Sequence, residues 1–154
     1  ADPAHLAAAI RSMTTLNRTA AQISRKYRVH AATDVTGFSF LGHLHEMMGG
    51  SLSCRVDARR VPVLPGAEKA AEDFLYTAAG QRNRNHTAPF VRFEGIPFAM
   101  EEVLYDPQTS GGLLFAVDPA DANELERELQ QAGLAAKIVG EILDRTDPEI
   151  TVTY

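Results

Sequence analysis

Asp34 stands in Ala32-Thr33-Asp34-Val35-Thr36-Gly37, where a carboxylate, two hydroxyls and a glycine lie directly ahead of an apolar run. Apolar residues then recur at Phe38, Leu41, Leu44 and Met48, with a second row at Phe40, Leu44 and Met47. Spacings of three and four predict a helix buried over much of its circumference. A carboxylate at the mouth of such a helix has two uses. It can cap the helix by accepting backbone N–H bonds, or it can hold a cation beside a bound anion. Mg2+ in particular takes hard oxygens, usually one or two carboxylates completed by phosphate and water. Taken alone, Asp34 favours the cap. Thr36 and Gly37 could offer a hydroxyl and a backbone N–H to a phosphate, because helix N-termini attract anions. They serve equally well as a capping threonine and the glycine of a tight turn.

A second polar stretch, Asp106-Pro107-Gln108-Thr109-Ser110-Gly111-Gly112, runs into the apolar Leu113-Leu114-Phe115-Ala116-Val117. Its consecutive glycines permit close approach of a ligand or another backbone, and its hydroxyls suit either phosphate binding or capping. The plainer reading is a turn that packs against the Asp34 helix. His43 and His45 are two residues apart, so they project to different sides of a helix and cannot share a metal. His43 reads as a helix-interface histidine and His45 as solvent-facing. Cys54, the only cysteine, alternates with polar residues beside Leu52 and Val56 and reads as the inner face of a strand. Arg82 and Arg84 fall in a polar stretch and read as solvated charges.

The elements needed to hold these residues follow from periodicity. Residues 3–27 read as one long helix, with Leu6, Ile10, Met13, Leu16, Ala20, Ile23 and Tyr27 on its apolar face. The helix after Asp34 ends at Gly49-Gly50, and 51–57 alternates as a strand. A proline-bearing connector over 61–66 leads to a helix over 67–76, with Ala70, Ala71, Phe74 and Leu75 inward. Residues 77–87 are polar and unpatterned, and read as a loop. A strand over 88–93, a short helix over 98–104 and a central strand over 112–117 buried on both faces come next. Asp118 and Pro119 open a helix lined by Leu125, Leu129 and Ala132 and ended by Gly133. Strands over 136–143 and 149–154 close the chain around a turn. Strand–helix–strand units of this kind argue for a mixed sheet carrying helices.

The 154 residues are enough for one domain with a sizeable core. A net charge of −5 argues against a nucleic-acid footprint. No apolar run is long enough for a membrane-spanning helix, and the cytoplasm is the expected location.

Read together, the stretches ATDVTGFSFLGHL and DPQTSGGLL resemble selenophosphate synthetase (selenide, water dikinase), whose patterns read like ATDVTGFGLLGHL and DPQTSGGLL. The looser superfamily includes aminoimidazole ribonucleotide synthetase. The resemblance implies an α+β domain, three-layer α/β/α with a mixed sheet and partly ferredoxin-like. It implies that residues 1–154 form the C-terminal domain of a longer two-domain enzyme. That enzyme's N-terminal, ATP-binding domain holds the reactive cysteine or selenocysteine and a lysine, and the resemblance further implies a homodimer. The implied reaction converts ATP, selenide and water to selenophosphate, AMP and phosphate with Mg2+, and the isolated domain is expected to be inactive. On the match to ATDVTG, Asp34 is the expected metal residue, and this puts the metal reading ahead of the cap. Contacts to nucleotide or phosphate are expected from Thr33, Thr36, Gly37, Asn83, Thr109, Ser110, Gly111 and Gly112. Two departures stand out. Residues 77–83 retain only Arg82 and Asn83 of a pattern like PGGTxRN, and Ser39 replaces a glycine, which reads as a mild change inside the helix. The alternatives are another ATP-using synthetase or kinase of the superfamily, or a non-catalytic binding module.

Overall fold

Cys54 and Val56 face one way along β2 (Leu52–Asp57) and Ile150 and Val152 along β6 (Ile150–Thr153), and all four are buried. A computed structural model of the chain describes residues 2–154 and shows what covers them. β2 and β6 run parallel at the centre of a four-stranded mixed sheet. β3 (Val91–Glu94) adds parallel to β6 on one edge, and β5 (Gly140–Asp144) adds antiparallel to β2 on the other. The closing strands therefore do not pair with each other, because β2 lies between them. The apolar face of the sheet receives α3 (Ser39–Met48) and α6 (Phe98–Tyr105) through Leu41, Leu44, Met48, Met100, Leu104 and Tyr105. Its opposite face carries a cross-strand row of Arg92, Thr151, Arg55 and Glu141. The α+β class with a mixed sheet stands as expected.

Cys54 lies in the main core, and burial, reinforced by the nearby Glu141 charge, pushes its thiol up to about 12. The thiolate is the reactive form, so Cys54 should resist iodoacetamide at pH 8 in the folded chain. Modification is expected to track unfolding, and mass spectrometry with and without urea checks it. Rapid labelling of the native protein would place the thiol on the surface.

Several elements differ from the sequence expectation. The opening helix is two, α1 (Pro3–Thr14) and α2 (Arg18–Ser24), interrupted where the Thr15 amide bonds back to Arg11 and Ser12. Only α2 joins a core: Ile23 packs on Leu125 and Leu129 of α7 (Pro119–Gln131), which Asp118 caps as expected. α4 (Ala67–Glu72) stops short, leaving Phe74 at φ +58° and both Phe74 and Leu75 exposed. Its apolar tail faces solvent, not the core.

β4 (Leu113–Val117) is not a central strand. It pairs only with β1 (Val29–Asp34), as an antiparallel two-stranded ribbon, and all five of its residues are half-buried. Its apolar run has another cause. Leu114 packs on the main core, and Val117, on the opposite face of the strand, packs on the α2–α7 cluster. The ribbon joins two small cores instead of sitting inside one sheet.

Residues 77–87 are the largest revision. They form α5 (Ala78–Thr87), begun by Thr77, whose hydroxyl accepts from the Gly80 amide at 3.0 Å. Its mean hydropathy is low because polar contacts, not an apolar stripe, dock it on α3 and α6. Residues 88–90 are a short 3-10 turn leading into β3.

Candidate functional site

The two motifs meet along the β1–β4 ribbon. Asp34 is the register partner of Leu113. Beyond it the pairing continues without side chains: the Val35 amide donates to the Gly112 carbonyl and the Gly111 amide to the Val35 carbonyl, each at 2.9 Å. The Gln108 amide then donates to the Thr36 carbonyl at 3.0 Å. This closeness dictates the glycines. A β-carbon on Gly111 would stand 2.8 Å from the Val35 carbonyl oxygen, and Gly112 has φ +85°. The glycine pair is thus required for the motifs to lie against each other.

Asn83 locks this junction from outside. Its amide group donates to the Gly37 carbonyl at 3.0 Å and to the Tyr105 carbonyl at 3.2 Å, tying the end of the first motif to the start of the second. Both Asn83 donors are thereby used. On the other side of the Asp34 turn, the Thr36 hydroxyl lies 3.1 Å from His43 Nε2, and His43 Nδ1 lies 2.9 Å from the Glu46 carboxylate. His43 is buried, as expected of a helix-interface histidine. His45 is not solvent-facing. It stacks on Phe90 with ring centres 4.1 Å apart and holds the buried Glu149 carboxylate at 2.6 Å.

Asp34 ends β1 with its side chain exposed. It does not cap the following helix, which starts five residues later at Ser39. Thr33 turns the other way and its hydroxyl bonds to the Asp34 carbonyl at 3.3 Å. Thr109 and Gly111 are exposed beside the half-buried Ser110 and Gly112. Asp106, at the start of this loop, is raised above the ordinary carboxylate range by burial, and the Gln108 amide pulls it partly back.

Ser39 is not a mild change. It is fully buried at φ +71°, the left-handed region that favours glycine, and its hydroxyl accepts from the Gly42 amide at 3.3 Å. Left-handed backbone costs a side-chain-bearing residue roughly 1–2 kcal/mol, whereas replacing a capping serine by glycine costs only a few tenths. Ser39→Gly should therefore stabilise the fold by about 1 kcal/mol, or ~2–4 °C in Tm for a chain of this size. A lower Tm by calorimetry would mean that the serine cap outweighs the strain.

Arg84 is likewise not a solvated charge. Its guanidinium pairs with Glu101 at 2.9 Å and the buried Glu102 at 2.6 Å, over the Tyr105 ring at 4.8 Å. The contact to Glu102 is close but lacks hydrogen-bond geometry, whereas Gln81 donates to the same carboxylate at 2.5 Å. This network seats α5, and α5 delivers Asn83. Sequence reading missed it because an Arg and two Glu residues seventeen and eighteen positions away show no pattern before folding.

A divalent cation is implied by the family motif, so the donors matter. Among the described residues no group of three or more His, Cys, Asp or Glu could hold a metal ion. An exposed lone carboxylate does not make a resident site. It does fit a cation that takes most of its oxygens from phosphates and other ligands.

The family described as AIR synthase related protein, C-terminal domain, matches residues 2–153. This chain belongs to that family. It is 53% identical over 145 residues to a selenide, water dikinase of Agathobacter rectalis, covering 94% of this chain and 42% of that protein. It is 43% identical over 147 residues to one of Desulfitobacterium hafniense strain DCB-2, covering 96% and 43%. A Treponema denticola selenide, water dikinase is 43% identical over 131 residues, covering 84% and 37%. The chain thus spans about two fifths of the length of the curated relatives it matches.

Proposed function

We infer that this chain is the C-terminal domain of a selenide, water dikinase, in which it forms one wall of the Mg2+-ATP site. The observation that carries the reading is the junction of the two motifs. Residues that match the family's ATDVTG and DPQTSGG stretches are bonded to each other through Val35, Thr36, Gln108, Gly111 and Gly112. Identities of 43–53% to enzymes of that name support the same assignment. The reaction is ATP, selenide and water to selenophosphate, AMP and phosphate.

Phosphoryl transfer rests on positioning and charge neutralisation, and Mg2+ would supply the latter on the phosphate oxygens. Asp34 offers that cation a carboxylate. Gly37, Thr109, Ser110 and Gly112 stand near Asp34 and offer backbone N–H groups and hydroxyls to phosphate, with Thr33 and Thr36 flanking Asp34 in the chain. The Gly111 amide is instead held by the Val35 carbonyl, and Gly111 serves the close approach of the two motifs. Asn83 enters as the residue that spaces the two segments.

The remaining partners belong to the same reading. An N-terminal domain of the same polypeptide supplies the nucleophile and completes the site, and the whole enzyme is a cytoplasmic homodimer. One feature of this chain supports a covering domain. The α1 stripe of Leu6, Ile10 and Met13, continued by Leu16 just beyond the helix, is 45–70% exposed, although its apolar spacing is that of a buried face.

The test compares the 154-residue chain with a polypeptide of the relatives' full length that contains it. Selenide-dependent AMP formation from Mg2+-ATP is expected from the longer protein and not from the shorter. Activity of the short chain alone, or none in the longer one, would reject the reading.

A further inference from the structure

Helix α4 closes with a Schellman motif: the Phe74 amide donates to the Ala71 carbonyl at 3.0 Å and the Leu75 amide to the Ala70 carbonyl at 2.9 Å. That geometry puts the residue after the cap in the left-handed region, where glycine is the favoured occupant. The chain has Phe74 there, at φ +58°. A bulky aromatic residue is strained in that conformation. No burial offsets the strain, since Phe74 is 72% and Leu75 74% exposed. Glycine would serve the fold better at this position, so the use of the ring lies in something it meets outside these residues.

The ring does not stand alone. Phe74 lies 6.3 Å from Tyr76 and Tyr76 lies 6.4 Å from Phe98, centre to centre and edge to face, so the three form one exposed aromatic ledge. Arg84 holds its far end, with the guanidinium 5.4 Å from the Phe98 ring centre. Glu101 and Glu102 already match that charge, so the ledge suits an apolar, uncharged segment. Tyrosine, phenylalanine and arginine are the residues that interface centres favour over the rest of a surface. The ledge also abuts the candidate site. Tyr76 leads into Thr77, the cap of α5, and a β-carbon on Gly80 would stand 3.6 Å from the Tyr105 carbonyl oxygen and 3.7 Å from the Pro107 ring. Leu75 and Tyr76 edge the same groove as Asp106 and Gln108. A domain-sized cover of the motif junction therefore extends over the ledge too.

The chain exposes 8911 Å², about 1,200 Å² more than the ~7,700 Å² usual for a compact monomer of 16.8 kDa. That excess is larger than the ~800 Å² per partner of a standard interface. The curated relatives are more than twice as long as this chain, so one polypeptide of that length has room for a cover of domain size. We propose that the ledge of Phe74, Tyr76 and Phe98 seats an apolar segment of the N-terminal domain of the same polypeptide and anchors that domain beside the motif junction. This rests on the proposed function, whose covering domain it places. Phe74 is strained in this chain because its ring is used across that interface.

Hydroxyl-radical footprinting read by mass spectrometry tests it on the 154-residue chain and on a polypeptide of the relatives' full length that contains it. Oxidation of Phe74, Tyr76 and Phe98 is expected to be rapid in the chain and at least fivefold slower in the longer protein. Equal oxidation in a longer protein that still forms AMP from Mg2+-ATP with selenide would overturn the proposal and leave the proposed function standing. A longer protein that forms no AMP would overturn the proposed function and this placement with it. Protection in the chain alone as its concentration rises, with a dimer by sedimentation, would make a second copy the occupant and also overturn the proposal. Phe74→Gly separates docking from folding. In the chain it should leave Tm unchanged or raised, because the left-handed strain is relieved. In the longer protein it should restore at least half of the lost oxidation at Tyr76 and Phe98. A lower Tm in the chain, with protection in the longer protein unaltered, would make Phe74 a residue of the fold and overturn its role as an anchor.

Discussion

Asp34→Asn is expected to lower Mg2+-dependent turnover of the full-length protein by about a hundredfold or more, the usual scale when one charge-stabilising group is removed. It should leave the melting temperature of the 154-residue chain nearly unchanged. The two halves of this result have separate causes. Asp34 is exposed at the end of β1, it holds no cap, and the helix after it begins only at Ser39. Its carboxylate therefore does little for folding. Asn preserves the shape and the backbone ladder to Leu113 while removing the charge that a cation needs. ATP titrations at several Mg2+ concentrations separate this from a general loss, because the defect should lessen as Mg2+ is raised. If the chain instead loses more than ~2 kcal/mol, the upper range for a lost cap, and turnover survives, Asp34 is structural.

Arg84→Ala should cost the fold about 3 kcal/mol. Removing one member of a buried ion pair leaves the other charge without a partner, at a typical cost of 3–5 kcal/mol. Glu102 is that charge, with a side chain 2% exposed. The lower end applies because Gln81 still bonds to one Glu102 oxygen and the other carboxylate, Glu101, is better hydrated. Loss of the Arg84 contact over Tyr105 adds to the penalty. The diagnostic is a double substitution. Glu102→Gln removes the stranded charge, so Arg84→Ala with Glu102→Gln should be more stable than Arg84→Ala alone. Urea denaturation measures both. A loss below 1 kcal/mol for Arg84→Ala, or strict additivity of the pair, would show that the network contributes little. In the full-length enzyme the same variant should raise the KM for ATP, because α5 carries Asn83, which spaces the two motifs.

What the chain's order of residues determined by itself is local. Periods of three and four located α3 and α7, alternation located β2, and Asp118-Pro119 marked the start of α7, because each signal is carried by residues within a turn or two. The motif stretches were legible for the same reason, and so was the glycine pair at Gly111 and Gly112. Three features lay beyond reach. α5 has no apolar stripe, since its docking depends on Asn83, Arg84 and Gln81 finding partners more than fifteen residues away. β4 is apolar on both faces because two separate cores meet it, a circumstance that a run of hydrophobic residues cannot distinguish from a central strand. The left-handed conformation of Ser39 is not written in a serine side chain, and only the glycine that the family pattern has there matches such a backbone. Tertiary structure decided these points because each depends on long-range contacts, and periodicity records only which side of an element is apolar.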